Sequence, residues 1–510
     1  MSTTAATRRH MLITLGKLAA VSAGALTLGG CETLLEQIRN RPMRRSLGSL
    51  PLNDPIIQTY RDAVAAMKAL PASDPRNWNA QAEIHFNHCP HGNWFFLPWH
   101  RAYLLYLEQI CRELTGNRAF ALPYWNWTCN RTLPEAFLGD ASNALFVAGR
   151  SGVPPAALTD GVVGTALMDT ILDEPNFILF GSAQATALRP AVGYGTLEGT
   201  PHNTVHGFVG GVMGGFRSPR DPIFWMHHNM IERVWWEWNV VRGHANTNDP
   251  GWNNFSLGGM FVDGTGAPIS SVSVGVLNLA PLLSYRFDDV SITTCRRIGL
   301  ALDLADRVAL RRLLEEGGRV RLTRLETLAR SGPQAIEVGR SGSQALKLSG
   351  SAALMDIVKS GAKRLILRVL GVEQPATGDF FVRVYLNHPQ ANPSTGTDDP
   401  RYAGSFAFFN DPDEHHHGHP AGHMAGAGAS AAAASAAFLV DLSPALERLR
   451  GLGQFGQLGQ SGELSVQLVV VPQSEKPKRS GGLRITGLEL DLVASDAPAA
   501  RPFGEPAAKQ

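Results

Sequence analysis

The pattern of apolar and polar positions divides the chain into a helical first half and a strand-rich second half. Asp54-Pro55 followed by IIQTYRDAVAAMKAL and Pro71 predicts a capped helix, and a shorter helix is expected around Trp78 to Phe86. The stretch His85 to Glu108, HFNHCPHGNWFFLPWHRAYLLYLE, turns helical in its last part. Pro98 sits near the first turn, Leu104, Leu105, Leu107 and Ile110 supply the apolar positions, and Gly116 is the stop. Another helix is predicted in DPIFWMHHNMIERVWWEW, with Asp221 as N-cap and Pro222 as the first helical residue. Residues 131–195 are rich in Gly, Ala and Pro and predict irregular structure; residues 243–266 read as loop. Residues 298–330 read as helical and charged, and residues 331–362, rich in Gly, Ser and Ala, as a linker. Alternation returns at 364–370, 379–386, 404–409, 437–442, 463–471 and 483–493, short strands that predict an antiparallel sandwich.

Composition adds bounds. A chain of 510 residues accommodates two or three domains, and a net charge of +2 implies no nucleic-acid or acidic-polymer partner. Arg8 and Arg9 precede an uncharged run, Leu18 to Gly30, that ends in Leu28-Gly29-Gly30-Cys31. This resembles a bacterial twin-arginine signal with a lipoprotein box. It implies export to the periplasm, with membrane attachment through a lipidated Cys31; a plain cleaved signal or a membrane anchor is the alternative. The basic residues that follow, Arg39, Arg41, Arg44 and Arg45, read as a tether or a first surface helix. Once Cys31 is set aside, Cys89, Cys111, Cys129 and Cys295 permit a disulfide without requiring one.

Candidate chemistry concentrates in two clusters. The first stretch gathers His85, His88, His91 and His100 with Cys89, a mixture that a purely structural core has little reason to assemble. In the second, His202 and His206 stand four apart and share a helix face, followed by His227, His228 and Glu232. Glu232, one turn beyond His228, stands where it could hold that ring's free N–H.

His91, Phe96, Trp99, His100, Arg101 and Glu108 stand at the spacing of the first copper signature of the tyrosinase and polyphenol oxidase family, and Asp221, Pro222, Phe224, His228 and Glu232 at that of the second. The resemblance spans roughly residues 50 to 300, with Glu232 where the family usually has Asp. It implies an α + β multidomain protein: a signal (1–30), a tether (31–50), a mainly helical copper domain built on a four-helix bundle (51–300), a helical segment and linker (301–362), an antiparallel β-sandwich (363–495) and a tail (496–510). Ser284-Tyr285-Arg286-Phe287 resembles the closure of the family's copper domain, and AGSFAFF and GLRITGLELDLV resemble the C-terminal domain of plant-type relatives, which can cover the active-site entrance.

The family pattern maps one copper to His85, His91 and His100 and the other to His202, His206 and His228, with His88 competing for the first position. Cys89-Pro90-His91 resembles the Cys-x-His of fungal tyrosinases, which implies a thioether between Cys89 and His91; a buried thiol is the alternative. Six imidazoles without a carboxylate leave copper or zinc as the metal, and the family implies two copper ions. Glu198 matches the plant-family glutamate that holds an ordered water, and Asn203 an asparagine that accompanies monophenol hydroxylation; Glu198 as a helix-start cap is the alternative. The expected activity is oxidation of o-diphenols by O2 to o-quinones, with monophenol hydroxylation beside it, small phenols being the substrates. An oxygen carrier with the same six histidines and a zinc-dependent hydrolase are the competing readings. The run His415, His416, His417, His419 and His423 with Met424 reads either as a copper-capture loop or as low-complexity sequence.

Overall fold

The structure, a computed structural model, describes residues 40–189, 191–297, 321–347, 363–373, 380–408, 437–453, 463–472 and 482–496. The signal, Cys31, the histidine run at 415–423 and the tail lie outside the described residues. Among the described residues, no helix is long and apolar enough to cross a membrane.

The first half is helical. After a short strand β1 (Met43–Arg44) come α1 (Pro55–Ala69), α2 (Trp78–His88) and α3 (Phe96–Thr115). Their ends follow local chemistry. The Asp54 carboxylate accepts from the Ile56 N–H at the start of α1, Asn77 caps α2 through the Asn79 N–H, and α3 stops at Gly116, whose φ of 69° is left-handed. Farther on lie α4 (Asn203–Val209) and α5 (Ile223–Trp236). Asp221 caps α5 through the Ile223 N–H at 3.0 Å and pairs with the buried Arg150 at 2.5 Å. α5 is buried along its whole length, and α3 over most of it, so the apolar core closes around them. The stretch 131–195, expected to be irregular, also carries short helices at Thr165–Leu172 and Phe177–Gly181.

Residues 41–46 are not a tether. β1 pairs in parallel with β3 (Arg286–Phe287), and Arg44 is fully buried, its guanidinium 2.5 Å from Glu108 and stacked 3.5 Å over the Tyr285 ring. A carboxylate and an aromatic face supply Arg44 with what water gives a basic residue at a surface.

The second half forms two sheets. One has the order β2-β10-β7-β13-β4 and the other β6-β11-β8-β9. Their strands are β2 (Gly193–Tyr194), β4 (Arg321–Arg330), β6 (Ser341–Lys347), β7 (Lys363–Leu370), β8 (Phe380–Leu386), β9 (Tyr402–Ala407), β10 (Ala437–Asp441), β11 (Glu463–Pro472) and β13 (Gly487–Asp496), with β5 (Gln334–Glu337) and β12 (Gly482–Ile485) pairing apart. Leu365, Leu367 and Leu490 of one sheet share an apolar core with Val382, Val384 and Val466 of the other. Two expectations are corrected here. The charged segment read as helical ends in β4: Leu322, Leu325 and Leu328 have a helix-like spacing, but pairing with β13 decides the conformation. The linker read at 331–362 contains β5 and β6, so the described part of it belongs to the β domain.

The domains interlock. β2, from the helical half, extends the first sheet by pairing in parallel with β10, and Tyr194 stacks on Phe438 at 4.8 Å. Arg364 of β7 sits between Glu174 of the helical half, at 2.9 Å, and Asp441 of β10. Cys129 and Cys295 form a disulfide that ties the segment after α3 to the segment after β3.

Candidate metal centre

His85 lies in the last turn of α2, His91 in the loop that follows, and His100 in the first turns of α3; all are buried. Gly92, with φ of 65°, lets the loop turn back so that His91 meets α2 and α3. Ring centroids are 5.6 Å apart for His85 and His91, 5.5 Å for His85 and His100, and 5.6 Å for His91 and His100. His88, the competitor for the first position, is exposed at the last residue of α2, whereas His85 is buried one turn earlier.

The second group is His202, His206 and His228, with His227 beside them; one ligand atom from each lies within 4.8 Å of the others. Pro201 cannot donate a backbone hydrogen bond, and the turn Glu198–His202 widens to π geometry ahead of α4, a distortion found at functional sites. The groups adjoin, since His100 of the first stacks on His228 of the second at 4.3 Å.

Hydrogen bonds orient the rings. The Nδ1 atoms of His85, His100 and His206 face the backbone carbonyls of Phe216 (2.6 Å), Phe96 (2.8 Å) and Met213 (2.7 Å). A carbonyl only accepts, so these Nδ1 atoms carry the proton and Nε2 presents a lone pair. His85 Nε2 and His100 Nε2 are buried with no hydrogen-bond partner among the described residues. His206 Nε2 and His228 Nε2 lie 3.2 Å apart, close to the ~3.3 Å expected of two nitrogens bound at about 2.0 Å to one tetrahedral ion. Burial and the neighbouring rings keep all these imidazoles neutral. The pKa values of His100 and His206 are lowered to about 3, and those of His85, His91, His202 and His228 fall well below the usual range. Neutral, preoriented, desolvated nitrogens are what a soft or borderline metal ion requires.

His227 differs. The Trp127 indole N–H donates to its Nδ1 at 3.2 Å, so the neutral ring carries its proton on Nε2.

One expected contact, of Glu232 with His228, is corrected, and Glu198 and Asn203 gain protein partners. Glu232 does not hold His228: Arg101 of α3 reaches both of its oxygens at 3.0 Å, and the Tyr285 hydroxyl donates to it at 2.6 Å. A guanidinium fork outcompetes an imidazole N–H for a carboxylate. Glu198 accepts from the Gly92 N–H (2.8 Å) and the Ser182 hydroxyl (2.6 Å), and burial raises its pKa to about 8. Asn203 accepts from His202 Nδ1 through Oδ1 at 2.8 Å, while its amide N–H donates to the Ala407 carbonyl of β9 at 2.9 Å. Cys89 Sγ lies 3.5 Å from His91 Nδ1 and 3.8 Å from Arg189 Nη2.

Ser182, Phe216, Trp127 and Arg189 escaped sequence reading. Trp127 sits in the aromatic run FALPYWNWT, where a packing role is the ordinary expectation; the others sit in Gly- and Ala-rich chain with no periodic signal.

Two adjoining, buried histidine groups define a dinuclear metal protein. Residues 61–153 and 155–241 match the family model for the common central domain of tyrosinase. The chain is 28% identical over 305 residues to (+)-larreatricin hydroxylase of Larrea tridentata, covering 50% of this chain and 51% of that protein. It is 29% identical over 310 residues to tyrosinase HcTyr1 of a Hahella species, covering 50% and 66%. The match thus spans about half to two-thirds of these relatives' length. A solved structure of latent apple tyrosinase shares the fold, with a TM-score of 0.63, 23% identity and coverage of 89% of this chain and 97% of that one. Residues 61–153 and 155–241 thus match the central domain of tyrosinases, and the two histidine groups are what the copper pair of such a domain would need.

Proposed function

We propose that this protein oxidises o-diphenols to o-quinones with O2 at a pair of copper ions, and that it also hydroxylates monophenols. The observation that carries the reading is the pair of adjoining histidine groups, neutral and buried, with no carboxylate in either group among the described residues. In this reading His85, His91 and His100 hold one ion, and His202, His206 and His228 the other. His227 is left out, because Trp127 keeps its proton on the inward nitrogen. Copper would supply the one-electron redox steps that join phenol oxidation to O2 reduction.

The chain's own groups position and protect. Backbone carbonyls of Phe216, Phe96 and Met213 fix three ring tautomers. The 3.5 Å approach of Cys89 Sγ to His91 supports a thioether that would hold His91 against rotation. Glu198, braced by Gly92 and Ser182, is the candidate base for the phenol proton; burial raises its pKa to about 8, so it acts in its ionised form, which bound copper would favour. We read the helical half as a four-helix bundle and the two sheets as a sandwich that covers the second histidine group through β9. The Cys129–Cys295 disulfide favours an oxidising compartment, in keeping with an exported protein.

The test is turnover. Copper-loaded protein given catechol should consume one O2 for every two o-quinones formed. Reversible oxygen binding without quinone would favour a carrier, and hydrolysis supported by zinc would favour a Lewis-acid enzyme.

A further inference from the structure

We infer that the β domain sets the tautomer of His202 through Asn203, so that docking of β9 and metal binding at the second histidine group depend on each other. This rests on the reading of His202 as a copper ligand.

The rings differ in what fixes them. His85, His100 and His206 face backbone carbonyls of the helical half, which accept and never donate. His202 instead faces a carboxamide, which presents either an acceptor or a donor depending on its orientation. A neutral imidazole nitrogen suits both orientations, so His202 cannot choose between them. The choice falls to the other end of the amide, 2.9 Å from the Ala407 carbonyl. That carbonyl accepts only an N–H, which turns Oδ1 toward His202 at 2.8 Å. Nδ1 must then carry the proton, and Nε2 keeps the lone pair that a metal needs. In the opposite orientation the amide N–H would face Nδ1, the ring proton would move to Nε2, and the ligand would be lost. Thr200, two residues before His202, donates to the Ser405 carbonyl and pins β9 over this spot. Asn203 is fully buried, so bulk water is not at hand to replace either partner. Asn203 is therefore a positioning residue and not a catalytic one. By linkage, copper on His202 should tighten β9 as much as β9 favours copper.

Two substitutions in the full-length, copper-loaded protein separate this from simple packing. Asn203→Asp keeps an acceptor for His202 but sets a carboxylate against the Ala407 carbonyl. Asn203→Ala removes both contacts. Copper retention against a chelator and hydrogen exchange of the peptide covering β9 are measured with and without copper. In the parent, copper should slow exchange in β9. Asn203→Ala should weaken binding of one copper by about 10–100-fold and abolish that protection. Asn203→Asp should hold copper nearly as the parent does while β9 exchanges fast. Equal behaviour of the two variants, whether both keep copper or both lose it, would overturn the inference. A His202→Ala control tests the underlying reading: it should bind one copper fewer, and two retained coppers would remove both the ligand assignment and the inference.

Discussion

His227 and His228 are adjacent in sequence, and only one has its inward nitrogen available. Trp127 donates to His227 Nδ1, whereas His228 Nε2 faces His206 Nε2 at 3.2 Å. His228→Ala and His100→Ala should therefore each lose one copper and abolish oxidase activity, while His227→Ala keeps measurable copper at both sites. Metal analysis after gel filtration checks this, and equal copper content in all three variants would refute it. Protonation makes a second prediction. The buried imidazoles have folded pKa values below the ordinary ~6.5, down to about 3 for His100 and His206. Metal-free protein should then be fully stabilised above about pH 6.5, and lose stability as pH falls toward 3, because the unfolded chain takes up those protons first. Each such ring contributes at most ~1.4 kcal/mol per pH unit in that window. Urea unfolding of metal-free protein at pH 7 and pH 5 measures it, and equal stabilities would contradict the burial. Six ligand candidates were legible because imidazole clusters at these spacings are rare. The true partners of Glu232 and Asn203 were not, because Tyr285 and Ala407 reach them from far along the chain.

At the scale of elements, caps and stops were readable. Asp54, Gly116 and Asp221 act where their side chains or their φ demand, and the apolar period placed α1, α3 and α5 within a residue or two. What sequence concealed was pairing. β1 is two residues long and has no alternation, yet it carries Arg44 into the core against Glu108. Arg44→Ala should destabilise the fold by up to about 3–5 kcal/mol, since it leaves buried Glu108 with only Arg112 at 3.4 Å and the Leu122 N–H. Chemical denaturation reads this directly, and a loss below ~1 kcal/mol would show that water replaces the guanidinium. β4 misled in the other direction, its leucines spaced like a helix but held flat by β13.

The whole molecule is two interlocked halves. β2 of the helical half completes a sheet of the β domain, Arg364 bridges Glu174 to Asp441, and β9 lies against Thr200 and Asn203. Residues 334–337 and 341–347 are strands of the β domain, so a protease site between the halves is not to be placed in them. Releasing the β domain by protease and mild detergent, with copper content measured alongside, should raise catechol turnover per bound copper pair several-fold if β9 blocks entry. Unchanged kinetics after clean removal would mean that the domain stabilises without covering. The central claim, a copper pair that oxidises diphenols, is tested most directly by oxygen uptake with catechol while metal-free protein is titrated with copper. Turnover should rise as the second equivalent binds and level off at two coppers per chain. A plateau at two coppers with no catechol-dependent oxygen uptake would contradict it.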